Sequence, residues 1–523
     1  MKRPLVVALL FALAAPAAHA AAPPLVPRDL TPLAGESHAL LQIAAGPREA
    51  AAVEALRRAG AARVSDSLGV WRLPSAVAAR LAPALALDGA LLDVEPDYPR
   101  APLDHLGAGD PLLPQQWWIG RIGADRVEPP GPGVPLTIVD GGVDTGHPEF
   151  AERPDTSALN PQTIVTQSDF HGTAVASVAA APANGVGIVG VYPRARLLLW
   201  DASPARNLTT ANIVQGIEAA ARLGRGVVNL SLGGVFPSRI EELAVMHAYD
   251  RGVLVVAASG NERQQGARPS YPASYPHVLT VGAVDAADRL ASFSSPSPGM
   301  DLVAPGVSIA AALPTALEPS GYAPVDGTSF AAPLVAGAAA WVWTQRPDLD
   351  KTQLFELMRR SARPLAPARN PDTGFGLLDV PRALTMPPPP RDPFEPNDTL
   401  DQVIPGRHFA TGRPGLTRPG VGRNVVNARL DVTDDPRDVW RVWVPRNGRV
   451  LVTLTGPQAV ELRWAGPTAV RRQSRLAPRR LELVNRTAAG QWTYVTALIR
   501  PAAQPSHAAY RLTLATTPAP ARR

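Results

Sequence analysis

Three residues of this chain have the types, and the local settings, that nucleophilic catalysis needs. His171 heads the run His171-Gly172-Thr173-Ala174-Val175-Ala176. An imidazole with an unperturbed pKa of about 6.5 is a general base near neutral pH. Asp140 closes the apolar run Leu136-Thr137-Ile138-Val139 and precedes Gly141-Gly142, where a strand end holds a carboxylate behind such a base. Ser329 lies in Gly327-Thr328-Ser329-Phe330-Ala331-Ala332-Pro333, the opening of a helix of small residues. Free N–H groups and the positive dipole end favour a developing oxyanion there. Pro333 fits as a first-turn residue, where an N–H is not needed. Singly, each residue has a plainer reading as a cap or a turn, and Asn261 after Gly260 reads as a turn. Together they supply an acid, a base and a nucleophile.

The elements that must position them follow from periodicity. Short apolar runs at Leu136–Val139, Leu197–Trp200, Val227–Leu230, Leu254–Ala257 and Val278–Gly282 read as strands. They alternate with amphipathic helices at His171–Ala180, Thr210–Leu223, Arg239–Asp250 and Thr328–Gln345. That alternation predicts an α/β fold with a doubly wound, mostly parallel sheet. Functional residues then belong at the carboxyl ends of the strands.

The remainder of the 523 residues divides into further stretches. Lys2 and Arg3, the apolar run Leu5–Ala15 and the pattern Ala18-His19-Ala20 read as a secretory signal over 1–20. Residues 37–97 read as strand, helix, two strands broken at Gly69, helix and strand, with Ser75 capping the second helix. Pro387-Pro388-Pro389-Pro390 makes a stiff linker. Beyond it, period-two runs at Val439–Val444, Val450–Thr455, Trp492–Ile499 and Tyr510–Leu514 predict an all-β sandwich. With 46% hydrophobic residues the chain is not disordered, and without cysteine it has no disulfide framework, no thiolate metal site and no cysteine nucleophile. The net charge of +6 divides into +2 for the signal, −3 for 21–110, −4 for 111–390 and +11 for 391–523. The basic end suits an anionic surface, but no recognition motif accompanies its arginines, so nucleic acid is not expected as a partner.

These motifs resemble the subtilisin-like serine proteases, the subtilases. The matching blocks are TIVDGGVDTGHPEF, DFHGTAVASVAA, VVNLSLGG, VVAASGNE, YPASYPHVLTVGAVD, FSSPSPGMDLVAPG and GTSFAAPLVAGAA. The order Asp, His, Ser is that family's, with gaps of 31 and 158 residues. The resemblance implies a subtilisin-like fold and a serine endopeptidase made as a zymogen. Ser329 is then the nucleophile, His171 the base and Asp140 the residue that orients it. Asn261 and the Ser329 N–H form the oxyanion hole. Ser231, Leu232 and Gly233 pair with the substrate backbone, and Ser270 stands on the pocket floor, where many relatives have glycine. Large aromatic side chains are therefore expected to fit less well.

The implied organisation is a signal at 1–20, an α+β propeptide at 21–110, the catalytic domain at 111–386, a linker at 387–391 and a β-sandwich at 392–523. The last is similar to a bacterial pre-peptidase C-terminal domain. Processing is expected between about 97 and 112, from the likeness of Asp110–Arg121 to a mature start. Partners are protein or peptide substrates and the chain's own propeptide. No segment after the signal is long enough to span a membrane, so a secreted or periplasmic place is expected. No cofactor is required for the chemistry. Glu149 and Asn184 fall where close relatives supply ligands to a structural calcium. Glu395, Asp398 and Asp438 suggest a second site but read as solvated surface carboxylates. Gly141, Ala174 and Leu334 depart from the family's usual residues, none at a catalytic position. A lipase or esterase requires a G-x-S-x-G elbow, which is lacking, and a dead scaffold requires a broken triad.

Overall fold

The computed structural model describes residues 38–97, 109–164, 170–204, 208–392, 394–468, 470–473, 479–500 and 507–518. The signal, residues 21–37 and the expected processing region at 98–108 lie outside the described residues. The chain forms two compact units, Met1–Pro102 and Leu103–Arg523.

In the first unit, strands His38–Ile43, Ala62–Ser65, Val70–Pro74 and Leu91–Pro96 form one antiparallel sheet, with His38–Ile43 between Val70–Pro74 and Leu91–Pro96. His38–Ile43 alternates half-buried and buried residues. Its inward Leu41 meets Ala52 and Leu56 of helix Glu49–Arg58 and Ala78, Ala82 and Leu85 of helix Ser75–Leu87. This is the predicted order of elements. Ser75 is not a cap, however. Pro74 holds the N-cap position and Ser75 is the first helical residue, its hydroxyl buried without a partner.

In the second unit, seven strands form a parallel sheet in the order Leu302–Pro305, Val278–Val284, Val253–Ala258, Gly226–Leu230, Leu136–Asp140, Leu197–Asp201, Thr156–Ala158. The central strands are apolar runs because both faces are covered. Leu136 and Ile138 pack with helices His171–Ala180 and Thr328–Gln345 on one face. Val139 packs with helices Thr210–Leu223 and Arg239–Asp250 on the other. Alternate residues of one strand thus enter two cores.

Beyond the proline run, two antiparallel sheets close over a third core containing Val442, Val452, Leu483 and Leu512. One has five strands and the other three, the predicted sandwich. Buried Arg359 of helix Lys351–Ser361 joins this region to the parallel-sheet region. It pairs with Asp301 at 3.2 Å and Glu356 at 3.1 Å on its own side, and with Asp431 at 2.7 Å and Asp434 on the sandwich side. Glu395, Asp398 and Asp438 are not solvated surface groups: all three are buried at this junction.

Candidate active site

Asp140 ends its strand at the carboxyl edge of the sheet, and His171 is the first residue of its helix. The two meet there: His171 Nδ1 lies 2.7 Å from Asp140 Oδ1, which also accepts the Gly141 N–H at 2.7 Å. Asp140 is buried, whereas the His171 side chain is 37% exposed. The carboxylate therefore fixes one ring nitrogen while the ring's edge stays accessible. Oδ2 of Asp140 is buried with no partner among the described residues.

Ser329 is the second residue of helix Thr328–Gln345 and is half-buried. Pro333 is not in the first turn. As the sixth helical residue it cannot donate to the Ser329 carbonyl four positions back. The Ser231 hydroxyl replaces that donor, bonding to Ser329 O at 2.7 Å, and itself accepts from Asn229 Nδ2 at 2.9 Å. The Ser329 hydroxyl in turn donates to Ser231 O at 3.2 Å. The two serine segments are thus locked together. Catalytic hydrogen bonds commonly form only with substrate present.

Asn261 is held by its carbonyl oxygen. Oδ1 accepts both the N–H and the hydroxyl of Thr328, each at 2.9 Å, and Thr328 Oγ1 accepts the Gly260 N–H at 3.2 Å. With Oδ1 engaged, the amide nitrogen lies beside Gly327, at the head of the Ser329 helix. Gly260 takes a left-handed φ of 100°, and a side chain there would lie 3.3 Å from Ser270 Cβ. Ser270 also closes on Gly233, whose neighbour Gly234 pairs with Tyr271 through two backbone hydrogen bonds of 2.8 and 2.9 Å. Ser231 is therefore bonded to Ser329, and Ser270 packs against Gly233 two residues further on. Thr328 and Asn229, both fully buried, went unread in the sequence. Each lies inside a quoted motif as a polar residue among small and apolar ones, which is the sequence signal for it.

Glu149 and Asn184 are less directly joined. Glu149 Oε1 accepts the Ile188 N–H and the Tyr322 hydroxyl, each at 2.9 Å, and Oε2 is buried without a partner. Burial pushes its carboxyl up to about 7. Asn184 spends its amide oxygen on the Val186 N–H at 2.9 Å. The same loop donates three N–H groups to Asp110 Oδ1, leaving Asp110 Oδ2 buried and unpartnered. Asp110 was expected at the end of the propeptide, yet it is held by the second unit. The two bare oxygens, of Asp110 and Glu149, suit a cation, and the Asn184 amide oxygen, bonded once to Val186, keeps a second lone pair.

Comparison with known proteins follows the same lines. The model of the subtilase family matches residues 131–377. The alkaline protease of Alkalihalobacillus alcalophilus is 37% identical over 286 residues, 54% of this chain and 71% of that one. Subtilisin Savinase of Lederbergia lenta is 39% identical over 253 residues, 48% of this chain and 91% of that one. A solved psychrophilic subtilisin-like protease from an Antarctic Pseudoalteromonas has a TM-score of 0.46 and 20% identity, covering 51% of this chain and 96% of its own.

Proposed function

Because this chain belongs to the subtilase family of serine proteases, we propose that its endopeptidase chemistry runs through Asp140, His171 and Ser329, and that it is made as an exported zymogen. A peptide substrate adds as a strand beside Ser231, Leu232 and Gly233, its side chain entering the recess narrowed by Ser270. Ser329 Oγ attacks the scissile carbonyl while His171 takes its proton through Nε2. Asp140 holds the imidazole's tautomer and stabilises the imidazolium. The oxyanion is met by the Asn261 amide nitrogen and the Ser329 N–H. His171 then protonates the leaving amine, and water, deprotonated by the same imidazole, releases the acyl group from Ser329. The observation that carries this reading is the 2.7 Å contact of Asp140 with His171, at the sheet edge that also presents Ser329.

No cofactor enters these steps. Asp110 and Glu149 would hold a structural calcium through their bare oxygens, neutralising two buried charges. The separate fold and core of the first unit support a propeptide that starts at 21, assists folding, inhibits the enzyme and ends before Asp110, which the second unit holds. The leader at 1–20 supports export, and no helix among the described residues is long and apolar enough to cross a membrane. Seven of the ten acids in 391–523 are buried. The outer face of the sandwich is therefore more basic than the count suggests, which favours an anionic surface as its partner.

The test is export of wild type and Ser329→Ala, each with its signal, followed by N-terminal sequencing. Self-processing predicts a wild-type start between 98 and 112 and a mutant that retains residues from 21 onward. Equal processing of both would assign maturation to another protease.

A further inference from the structure

We propose that the outer face of the three-stranded sheet in the β-sandwich binds an acidic polysaccharide. Its sugar rings stack on Trp492 and Tyr494, and its carboxylates pair with Arg441 and Arg463. This rests on the reading that the sandwich meets an anionic surface, and it names the face and the ligand.

Strands Arg437–Val444, Val460–Ala465 and Gln491–Ile499 form this sheet, with Gln491–Ile499 in the middle. Alternation divides each strand between two faces. Val442, Val444, Leu462, Val495 and Ala497 enter the core, so Arg441, Trp443, Arg463, Trp492 and Tyr494 stand on the outer face. There the register sets Trp443 opposite Trp492 and Arg441 opposite Tyr494. On its other side Tyr494 faces Ala465, and Arg463 stands one rung along, opposite Thr496. Ala465 is exposed and too small to put bulk over the tyrosine ring.

The rings are fixed in place. Trp443 and Trp492 meet edge to face, 5.1 Å between centroids. Each lies against a glycine: a Cβ on Gly490 would come within 2.0 Å of Trp443, and one on Gly415 within 2.4 Å of Trp492. Arg441 stacks its guanidinium 3.8 Å from the Trp492 centroid. Side chains held this way lose little freedom when a ligand arrives.

The polar groups beside the rings are unspent. Among the described residues, neither indole N–H of Trp443 and Trp492 nor the Tyr494 hydroxyl has a hydrogen-bond partner. Arg441 and Arg463 make no hydrogen bond or ion pair, although Arg441 Nε is buried. Glu461 is the one acid at an outward position of these strands, and it pairs with Arg500 at 3.6 Å.

One side of a pyranose ring presents C–H groups, which the electron-rich face of an aromatic ring attracts. Sugar hydroxyls accept from indole and phenol donors, and a guanidinium fork matches a carboxylate. A neutral polysaccharide leaves the arginines unused, and an anionic lipid surface leaves the rings unused. Single-stranded nucleic acid also stacks on aromatic rings, but it needs a continuous cationic track for its phosphates. The arginines here stand singly among the rings.

The experiment uses the full chain carrying Ser329→Ala, which stops self-digestion, run through gels containing polygalacturonate, alginate or neutral dextran. Both acidic polymers should retard the chain and dextran should not. Tyr494→Ala and Arg463→Gln should each weaken that retardation about tenfold, with melting within about 2 °C of the parent. A second reading needs no variant: tryptophan emission should change saturably with polygalacturonate and not with dextran. Absent retardation and unchanged emission in the parent would overturn the proposal, even if the variants do not fold. Retardation that folded Tyr494→Ala leaves intact would also overturn it, and so would tighter binding to single-stranded DNA. Binding to phosphatidylglycerol vesicles but to neither polysaccharide would overturn it while keeping an anionic surface as the partner. Binding to none of these would remove both readings.

Discussion

Two buried aspartates in this molecule each hold a histidine, and only one pair is placed to do chemistry. Asp140 lies 2.7 Å from His171, and Asp398 lies 3.1 Å from His277. The His171 side chain is 37% exposed and shares its edge of the sheet with Ser329, at the start of a helix. That of His277 is 6% exposed, stacked on Tyr249 at 4.5 Å and flanked by a second carboxylate, Glu395. Burial works against a charged His277, but Asp398 and Glu395 outweigh it and raise its pKa. One imidazole keeps an accessible edge beside Ser329; the other is enclosed between two carboxylates at the junction of the two regions. The residue pair alone does not make a catalyst. Access and the third group do.

Exchanging the substitutions tests that contrast most severely. His171→Ala should lower kcat by about 10⁶-fold, the size seen in subtilisin, a relative, with the melting temperature nearly unchanged. His277→Ala should do the reverse. It strands two buried carboxylates, so denaturant unfolding should show a loss of about 3–5 kcal/mol, while kcat/KM of the folded fraction stays within about twofold. A large catalytic defect in folded His277→Ala would break the comparison. Asn261→Ala extends it to a group with no charge: kcat should fall about 10²–10³-fold, again a magnitude borrowed from subtilisin, with KM little changed.

Glu149 sharpens the picture of buried acids that lack a histidine. Its carboxyl is pushed up to about 7 by burial, above its unfolded value, so the folded state binds the extra proton between those pH values. In chelator-treated protein, stability should therefore fall as pH rises from about 4.5 to 7, by on the order of 3 kcal/mol. Glu149→Gln should flatten that slope in pH-dependent melts. An unchanged slope would remove Glu149 from the account.

The contrast between the two pairs also marks what a sequence discloses. The Asp140 and His171 surroundings are contiguous motifs, and the bounds of helices His171–Ala180 and Thr328–Gln345 emerge from local periodicity as observed. The junction has no such signature. Helix Lys351–Ser361 carries Glu356, Arg359 and Arg360, so its pattern looks solvated until a second domain buries it. Glu395, Asp398 and Asp438 mislead for the same reason, because nothing local announces the surface that covers them. Strands Thr156–Ala158 and Leu302–Pro305 are too short for alternation to register. Thr328 acts through Asn261, distant in sequence, Asn229 acts through Ser231, which reaches the Ser329 carbonyl, and Pro333, sixth in its helix, is tolerated because that Ser231 hydroxyl supplies the donor it lacks.

The central claim is that Ser329, and no other serine, is the nucleophile. A fluorophosphonate probe reacts covalently with an activated serine, and peptide mapping locates the adduct. One adduct per chain on Ser329, lost in His171→Ala although the serine remains, is the result expected. Labelling at another serine, or undiminished labelling of Ser329 without His171, would contradict it.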